Sequence, residues 1–452
     1  MLWLAGITAL AFVIRLWYIF LFKDGTQLPG DAVQYHGSAL ALADGHGFIE
    51  PNRFVFGLHV QSAQHPPAYF VVLAGVSAIG FRSMFAHQIF SAALGSVTVV
   101  LVGLTGRELS GRSAGLIAAF LVAAYPNIWL NDGEHMSETL AMLAIAVVLY
   151  VSYRLWRRPT VWRACALGGW CGLAALTRTE AFLMLPWLSV MVVGRLPGTA
   201  RGRRVRLVTA TWAIALLVMS PWVAYNLTRF NRPVLLSSGL GVALSAANCD
   251  TTYYGRPVHG SYFDGPNWYA VERTNRTGYW ANTCYSRAVA GLRGDASDVD
   301  AALTRKSLSY AGEHLSRVPA VIAARLGRTW GFYRPAQQMG LDHFIEGREL
   351  PASWAGLAMY YLLLPMGILG AIVLHRKRVT LSPLVAPVLA VSAGTVVTFG
   401  QTRYRAMAEV ALVLVSAVAV AELARAWQSR GRQNTVMANR RSAGAGKPRR
   451  ES

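Results

Sequence analysis

The chain has 452 residues, of which 54% are hydrophobic and only 14% charged, and its formal net charge is +21. Long apolar runs separated by short basic or Gly/Pro-rich links exclude a soluble globular domain and indicate an all-α polytopic membrane protein. The basic residues flank those runs, where they orient helices and meet anionic lipid headgroups, so the charge does not point to nucleic acid.

Spans of ~20 apolar residues are expected, in chain order, at about 2–22, 87–106, 113–130, 138–156, 162–176, 181–195, 207–226, 353–374, 381–400 and 406–425. The first, Leu2 to Phe22, is too long for a signal-peptide core and no A-x-A-like site follows it, so it counts as a helix. Basic residues crowd one alternating set of the links: Arg107 and Arg112, then Arg154, Arg157, Arg158 and Arg163, then 195–206, then Arg376, Lys377 and Arg378. These are the cytoplasmic loops by the positive-inside rule. The stretch Pro67 to Phe81 would invert every later loop if it crossed, and at about 15 residues it is short for a span. It is expected to be interfacial or re-entrant.

The outer side then holds 23–86, 131–137, 177–180, 227–352 and 400–405. The organisation expected is an N-terminal transmembrane catalytic module over 1–226, an extracytoplasmic segment over 227–352, C-terminal transmembrane helices over 353–426, and a disordered basic cytoplasmic tail over 427–452. The 227–352 segment is large enough for a small domain. Its Cys249 and Cys284 face the oxidising side and are candidates for a disulfide, whereas Cys165 and Cys171 lie within one helix and read as packing residues. Its aromatics, among them Tyr253, Tyr254, Tyr262, Trp268, Tyr279 and Trp280, suit a small core or an interfacial belt before they suit sugar stacking.

The outer loops carry the groups fit for chemistry. Asp31 opens a stretch of helical spacing that places Tyr35 one turn on, on the same face; taken alone, Asp31 is an N-cap. His65-Pro66-Pro67 enters the interfacial segment. Asp132, Glu134, His135 and Glu138 cluster at the outer end of another helix, where Glu138 also fits as a first-turn charge favoured by the helix dipole. Arg178 and Glu180 form a charged turn. Arg403 and Arg405 stand at an outer helix end against the positive-inside tendency, and a guanidinium fork there matches phosphate oxygens at headgroup level.

The ordered set Asp31, Tyr35, Gly45-x-Gly47-Phe48, His65-Pro66-Pro67, Ser137-Glu138, Leu176-Thr177-Arg178-x-Glu180 and Arg403-Tyr404-Arg405 resembles the bacterial members of the GT-C glycosyltransferases, near the protein-O-mannosyltransferase and aminoarabinose-transferase branch. The resemblance runs from the first helix to the last. It implies an enzyme that takes a sugar from a polyprenyl-phosphate donor to an acceptor outside the cytoplasm, with the aspartate of the first outer loop as base. Protein mannosyltransferases carry an acidic pair in that loop, whereas Asp31 is followed by Ala32, so a second carboxylate comes from Glu138 or Glu134, with Asp132 beside them, or is not needed.

The roles expected are Asp31 as base with Tyr35 and Glu138 beside it, and Arg403, Arg405, Arg178 and His65 around the donor phosphate. The site is expected to work without a metal; the alternative is Mg²⁺ or Mn²⁺ held by Asp31, Glu134, His135 and Glu138 should they converge. The expected partners are a polyprenyl-phosphate sugar, a glycan, lipid or protein acceptor, and membrane lipids, at the plasma membrane. A transporter or flippase of lipid-linked sugars, or a non-catalytic subunit of an envelope-assembly complex, are the competing classes. A transporter would place polar groups near the midplane and often show inverted repeats, neither of which the sequence presents beyond Arg15.

Overall fold

In a computed structural model, the described residues, 2–23, 30–254 and 282–444, are almost entirely helical. The helices in chain order are α1 (Leu2–Phe22), α2 (Asp31–Ala43), α3 (Pro51–Phe54), α4 (Ala68–Ala78), α5 (Met84–Ser110), α6 (Arg112–Ala124), α7 (Pro126–Gly133), α8 (Glu138–Arg157), α9 (Val161–Thr177) and α10 (Met184–Met191). They continue with α11 (Arg201–Arg229), α12 (Leu240–Ala247), α13 (Asp250–Tyr254), α14 (Asn282–Val289), α15 (Ala296–Glu313), α16 (Val318–Thr329), α17 (Pro335–Glu346), α18 (Leu350–Arg376), α19 (Ser382–Val397) and α20 (Ala406–Gly444).

Six helices among the described residues are long and apolar enough to cross a bilayer, and a seventh span results if the bent pair α6 and α7 counts as one. The sequence predicts ten, and the difference has local causes. Pro126 cannot continue α6 and starts α7 at 51° to it, breaking the span expected at 113–130. The stretch expected at 181–195 divides into a 3-10 turn, the eight-residue α10 and a second 3-10 turn. α9 and α19, at 17 and 16 residues, rise roughly 25 Å, short of a ~30 Å hydrocarbon core. At the C-terminus α20 remains helical to Gly444, where disorder is expected from 427; its Ala, Arg, Gln and Met residues are good helix formers.

Helix pairs close where small residues let backbones approach, as membrane interfaces require. α9 lies on α11 at Gly168, where a Cβ would meet the Thr211 carbonyl oxygen at 2.0 Å, and Thr211 Oγ1 donates to the Ala164 carbonyl at 3.2 Å. α18 lies on α20 the same way, with Gly370 against the Val415 carbonyl and Ser416 Oγ donating to the Leu363 carbonyl at 2.9 Å. Leu2, Trp3, Leu216, Leu217, Leu362 and Ile368 remain exposed on the outward faces of α1, α11 and α18, as lipid contact demands.

Buried charges inside this bundle are paired. Arg15 of α1 bonds Asp132 of α7 at 2.6 Å, Thr139 donates to the same carboxylate at 2.8 Å, and Gly95 of α5 leaves room for both side chains. At the outer ends of α1, α7 and α18, Arg348 bonds Glu134 at 3.0 Å and Asn131 at 2.7 Å, and Lys23 pairs with Glu349 at 3.0 Å. α4 packs on α2, and α12 packs on α15 in the segment between α11 and α18. Cys249 and Cys284 form a disulfide with their Cα atoms 6.2 Å apart; Cys165 and Cys171 are free. Tyr262, Trp268, Tyr279 and Trp280 lie outside the described residues.

Candidate active site

Five separate outer segments supply one charged cluster. Asp31 is the first residue of α2, and Gly30 before it turns the chain at φ 67°, a conformation that favours glycine. One turn on, Tyr35 is buried with its ring 4.8 Å from that of His65 and 5.2 Å from that of Tyr69. His65 Nε2 is 3.0 Å from Gln34 Oε1 and 3.8 Å from Asp31. The loop that carries it is pinned from two sides. Arg229 of α11 donates to the Phe48 and Ser62 carbonyls at 2.9 and 2.8 Å, and Ser237 Oγ donates to the Gln64 carbonyl at 2.7 Å.

Glu138 opens α8 with 1% of its side chain exposed, and it accepts from Arg178, which follows the end of α9 and also bonds Glu180 at 2.6 Å. Arg403 sits in the 3-10 turn Thr402–Arg405 that precedes α20. It donates to Asp31 at 2.7 Å, pairs with Glu346 of α17 at 3.1 Å and lies 3.8 Å from Glu138. The Tyr404 ring lies between the two guanidiniums, 5.1 Å from Arg178 and 5.4 Å from Arg403. Four carboxylates therefore face two arginines at this point.

Electrostatics follows from the packing. Burial alone would raise the Asp31 carboxyl, but Arg403, His65 and Arg178 outweigh it and hold it at about 2. Burial pushes Glu346 up to about 7 against the pull of Arg403, with Asp31 adding to the rise. His65 is lowered, chiefly by burial and with Arg403 and Arg178 acting the same way against Asp31, so the ring is neutral at pH 7. Burial works against the Arg178 charge, and Glu180 and Glu138 more than offset it.

The cluster opens on a cavity of about 930 Å³. Asp31, Tyr35, His65, Glu138, Arg178 and Arg403 line it, together with the apolar Leu216, Met219 and Val223 of α11 and Phe182, Leu236 and Leu240. Asp300 of α15 lines it as well; burial pushes it up to about 6 although the Gly241 N–H donates to it at 2.6 Å.

Three expected members lie elsewhere. Arg405, two residues from Arg403, is 1% exposed, bonds Glu409 at 2.5 Å and the Thr329 carbonyl at 3.0 Å, and stands over the Tyr360 ring. Glu134 is taken up by Arg348, and Asp132 by Arg15. Asp31, Glu134, His135 and Glu138 do not converge as one ligand set. Among the described residues, the group whose ligand atoms meet is His36, His87 and His135. Glu346, Asp300 and Gln34 are site residues that sequence reasoning passes over. Each is one of several polar residues on its helix, where the ordinary reading is a solvated face.

Residues 64–225 match the family described as dolichyl-phosphate-mannose-protein mannosyltransferase. No curated protein matches the sequence. Among solved structures, the fold resembles that of the Archaeoglobus fulgidus oligosaccharyltransferase complexed with Zn and sulfate, with a TM-score of 0.53 at 14% identity over 96% of this chain and 51% of that one. The same enzyme tethered to an acceptor peptide containing the NVT sequon gives 0.50 at 14% identity over 93% and 49%. ArnT from Cupriavidus metallidurans gives 0.40 at 14% identity over 92% and 78%. The chain spans about half the length of the archaeal structures it matches.

Proposed function

We infer from this fold and from the matched residues 64–225 that the chain is similar to the GT-C glycosyltransferases. We propose that it is a membrane glycosyltransferase that moves a sugar from a polyprenyl-phosphate donor to a glycan, lipid or protein acceptor outside the cytoplasm. The observation that carries this reading is one cavity lined both by the Asp31 carboxylate with the Arg403 and Arg178 guanidiniums and by an apolar set that includes Leu216, Met219 and Val223 of α11. An isoprenoid tail needs the apolar lining, a phosphate needs guanidinium forks, and the attacking hydroxyl needs a carboxylate beside both. The match to a dolichyl-phosphate-mannose family supports the donor class.

In the arrangement observed, Arg403 holds Asp31 too acidic to abstract a proton well. A donor phosphate competes for Arg403, and the carboxylate it displaces regains basicity, so proton abstraction is coupled to donor occupancy. Asp31 then takes the acceptor proton as the hydroxyl attacks the anomeric carbon and the bond to the phosphate oxygen breaks. Arg403 and Arg178 stabilise the charge that develops on that oxygen. Direct attack inverts the anomeric centre. Glu138 fixes both guanidiniums and Tyr35 walls the base; His65, bonded to Gln34, orients it. In this reading the cavity faces the extracytoplasmic side of the plasma membrane, and the two arginines meet the phosphate charge without a divalent ion.

Transfer from a panel of radiolabelled polyprenyl-phosphate sugars by purified protein tests the reading. Asp31→Asn is expected to lower turnover about 10²–10⁴-fold with expression unchanged; full activity in that variant removes the base. Mg²⁺ or Mn²⁺ added to chelator-treated protein is expected not to raise transfer, and a rise would reverse the metal-free assignment of the cavity.

A further inference from the structure

On the side of α2 turned away from Asp31, three histidines from three segments meet. His36 follows Asp31 by five positions, about 140° around the helix, and so leaves the cavity face. His87 lies in the first turn of α5, and His135 lies in the link between α7 and α8. One ligand nitrogen from each lies within 4.8 Å of the other two.

Three features distinguish this cluster from packed core histidines. His135 is fully buried and neither of its ring nitrogens has a hydrogen-bond partner, a costly state for a polar group. Its backbone is in the left-handed region at φ 52°, and its ring centroid stands 5.9 Å from that of His36 and 5.8 Å from that of His87. His87 Nε2 is 2.9 Å from Ser77 Oγ, which leaves Nδ1 facing His36 Nδ1 at 3.1 Å. A partner on the far nitrogen is how a metal-bound imidazole is usually oriented.

We propose that His36, His87 and His135 form a transition-metal site of the Zn²⁺ class. Three imidazoles suit Zn²⁺ and not Mg²⁺ or Ca²⁺, and a water completes a tetrahedron. With bonds of about 2.0–2.1 Å the ligand nitrogens of such a centre stand roughly 3.4 Å apart, so closure needs side-chain shifts of about 1 Å. The ion would clamp α2, whose first residue is Asp31, to α5 and to the link that runs into Glu138. Its role is to position the two carboxylates, and the inference stands apart from the assignment of the cavity.

Full-length protein in detergent, stripped with chelator and re-equilibrated with Zn²⁺, is expected to retain about one ion per chain by elemental analysis. His135→Ala and the half-buried His36→Gln are each expected to lose it, while Asp31→Asn and Glu138→Gln keep it. Ser77→Ala is expected to weaken Zn²⁺ binding about 10–100-fold. Co²⁺ loaded in place of Zn²⁺ is expected to give the visible absorption of a low-coordinate, imidazole-ligated centre in the wild type, a readout that does not depend on any variant folding. Wild-type protein that keeps no Zn²⁺ and gives no Co²⁺ spectrum overturns the site, and so does Zn²⁺ that survives His135→Ala but is lost with Asp31→Asn.

Discussion

Arg403 and Arg405 are two positions apart, yet they answer to different physics. Arg403 is 12% exposed at a cavity wall and shared by Asp31, Glu346 and Glu138, whereas Arg405 is sealed against Glu409 and Tyr360. Removing one member of a buried pair strands the other, at a cost of about 3–5 kcal/mol, while replacing both with apolar residues of similar size is near neutral. Arg405→Met should therefore lower the thermal midpoint sharply, and Arg405→Met with Glu409→Leu should recover most of it with an unchanged KM for donor. A raised KM in the stable double variant would place Arg405 at the donor after all. Arg403→Lys keeps the charge but loses the fork, so its KM for donor should rise while the fold persists. Asp31 carries a pH signature as well. Its folded pKa, about 2, lies below the ordinary 3.8, so the stability it contributes is fully present above pH 3.8 and is lost as pH falls towards 2. The difference in stability between wild type and Asp31→Asn should shrink within that window. A difference that does not shrink there would mean that Arg403 is not its partner.

At the scale of elements, two kinds of helix position the site. The long ones are held by close backbone contact, and a Cβ at Gly168 would strike the Thr211 carbonyl of α11. Gly168→Ala should destabilise the fold by about 1–3 kcal/mol through overpacking. Since α11 also carries apolar residues that line the cavity, the same variant should weaken donor binding; a neutral result in thermal unfolding would show the interface to be looser than its geometry. Leu216, Met219 and Val223 belong to that lining. Met219→Gln should raise KM for a long-chain donor roughly tenfold, as loss of about 1.4 kcal/mol of apolar contact requires, and should change KM for a short-chain analogue little. Equal effects on both analogues would detach the lining from the tail. The short helices could not be sized from hydropathy. α4, expected from its length not to cross, is a helix of 11 residues, whereas the break at Pro126 and the pieces around α10 look like continuous apolar runs until tertiary packing decides where each helix stops.

Across the whole molecule, loops separated by hundreds of residues end at one place: Asp31 and Arg403 bond across 372 positions. By the positive-inside rule, the alternation of basic and acidic loops predicts that this place is extracytoplasmic. Single cysteines at the exposed Ser309 of α15, the helix that carries Asp300, and at Ser110, in the Arg107 to Arg112 link, should label from opposite faces of intact cells with an impermeant thiol reagent. Labelling of Ser110→Cys from outside would invert the topology and the proposed site with it.

The sequence by itself determined the class of protein, the main apolar helices and the order of the motifs, because hydrophobic length and charge asymmetry act locally and leave a periodic record in the chain; its candidates Asp31, Glu138, Arg178 and His65 line one cavity. It also marked Arg403 by its violation of that asymmetry, but could not tell it from Arg405, since burial on a given side depends on which helix lies opposite. Only the tertiary structure decided that Asp132 and Glu134 neutralise Arg15 and Arg348, that Glu346 joins the arginines from a distant helix, and that three scattered histidines face one another. Those are pairings between side chains far apart in sequence, and pairing energies of that kind depend on distances that no local pattern encodes.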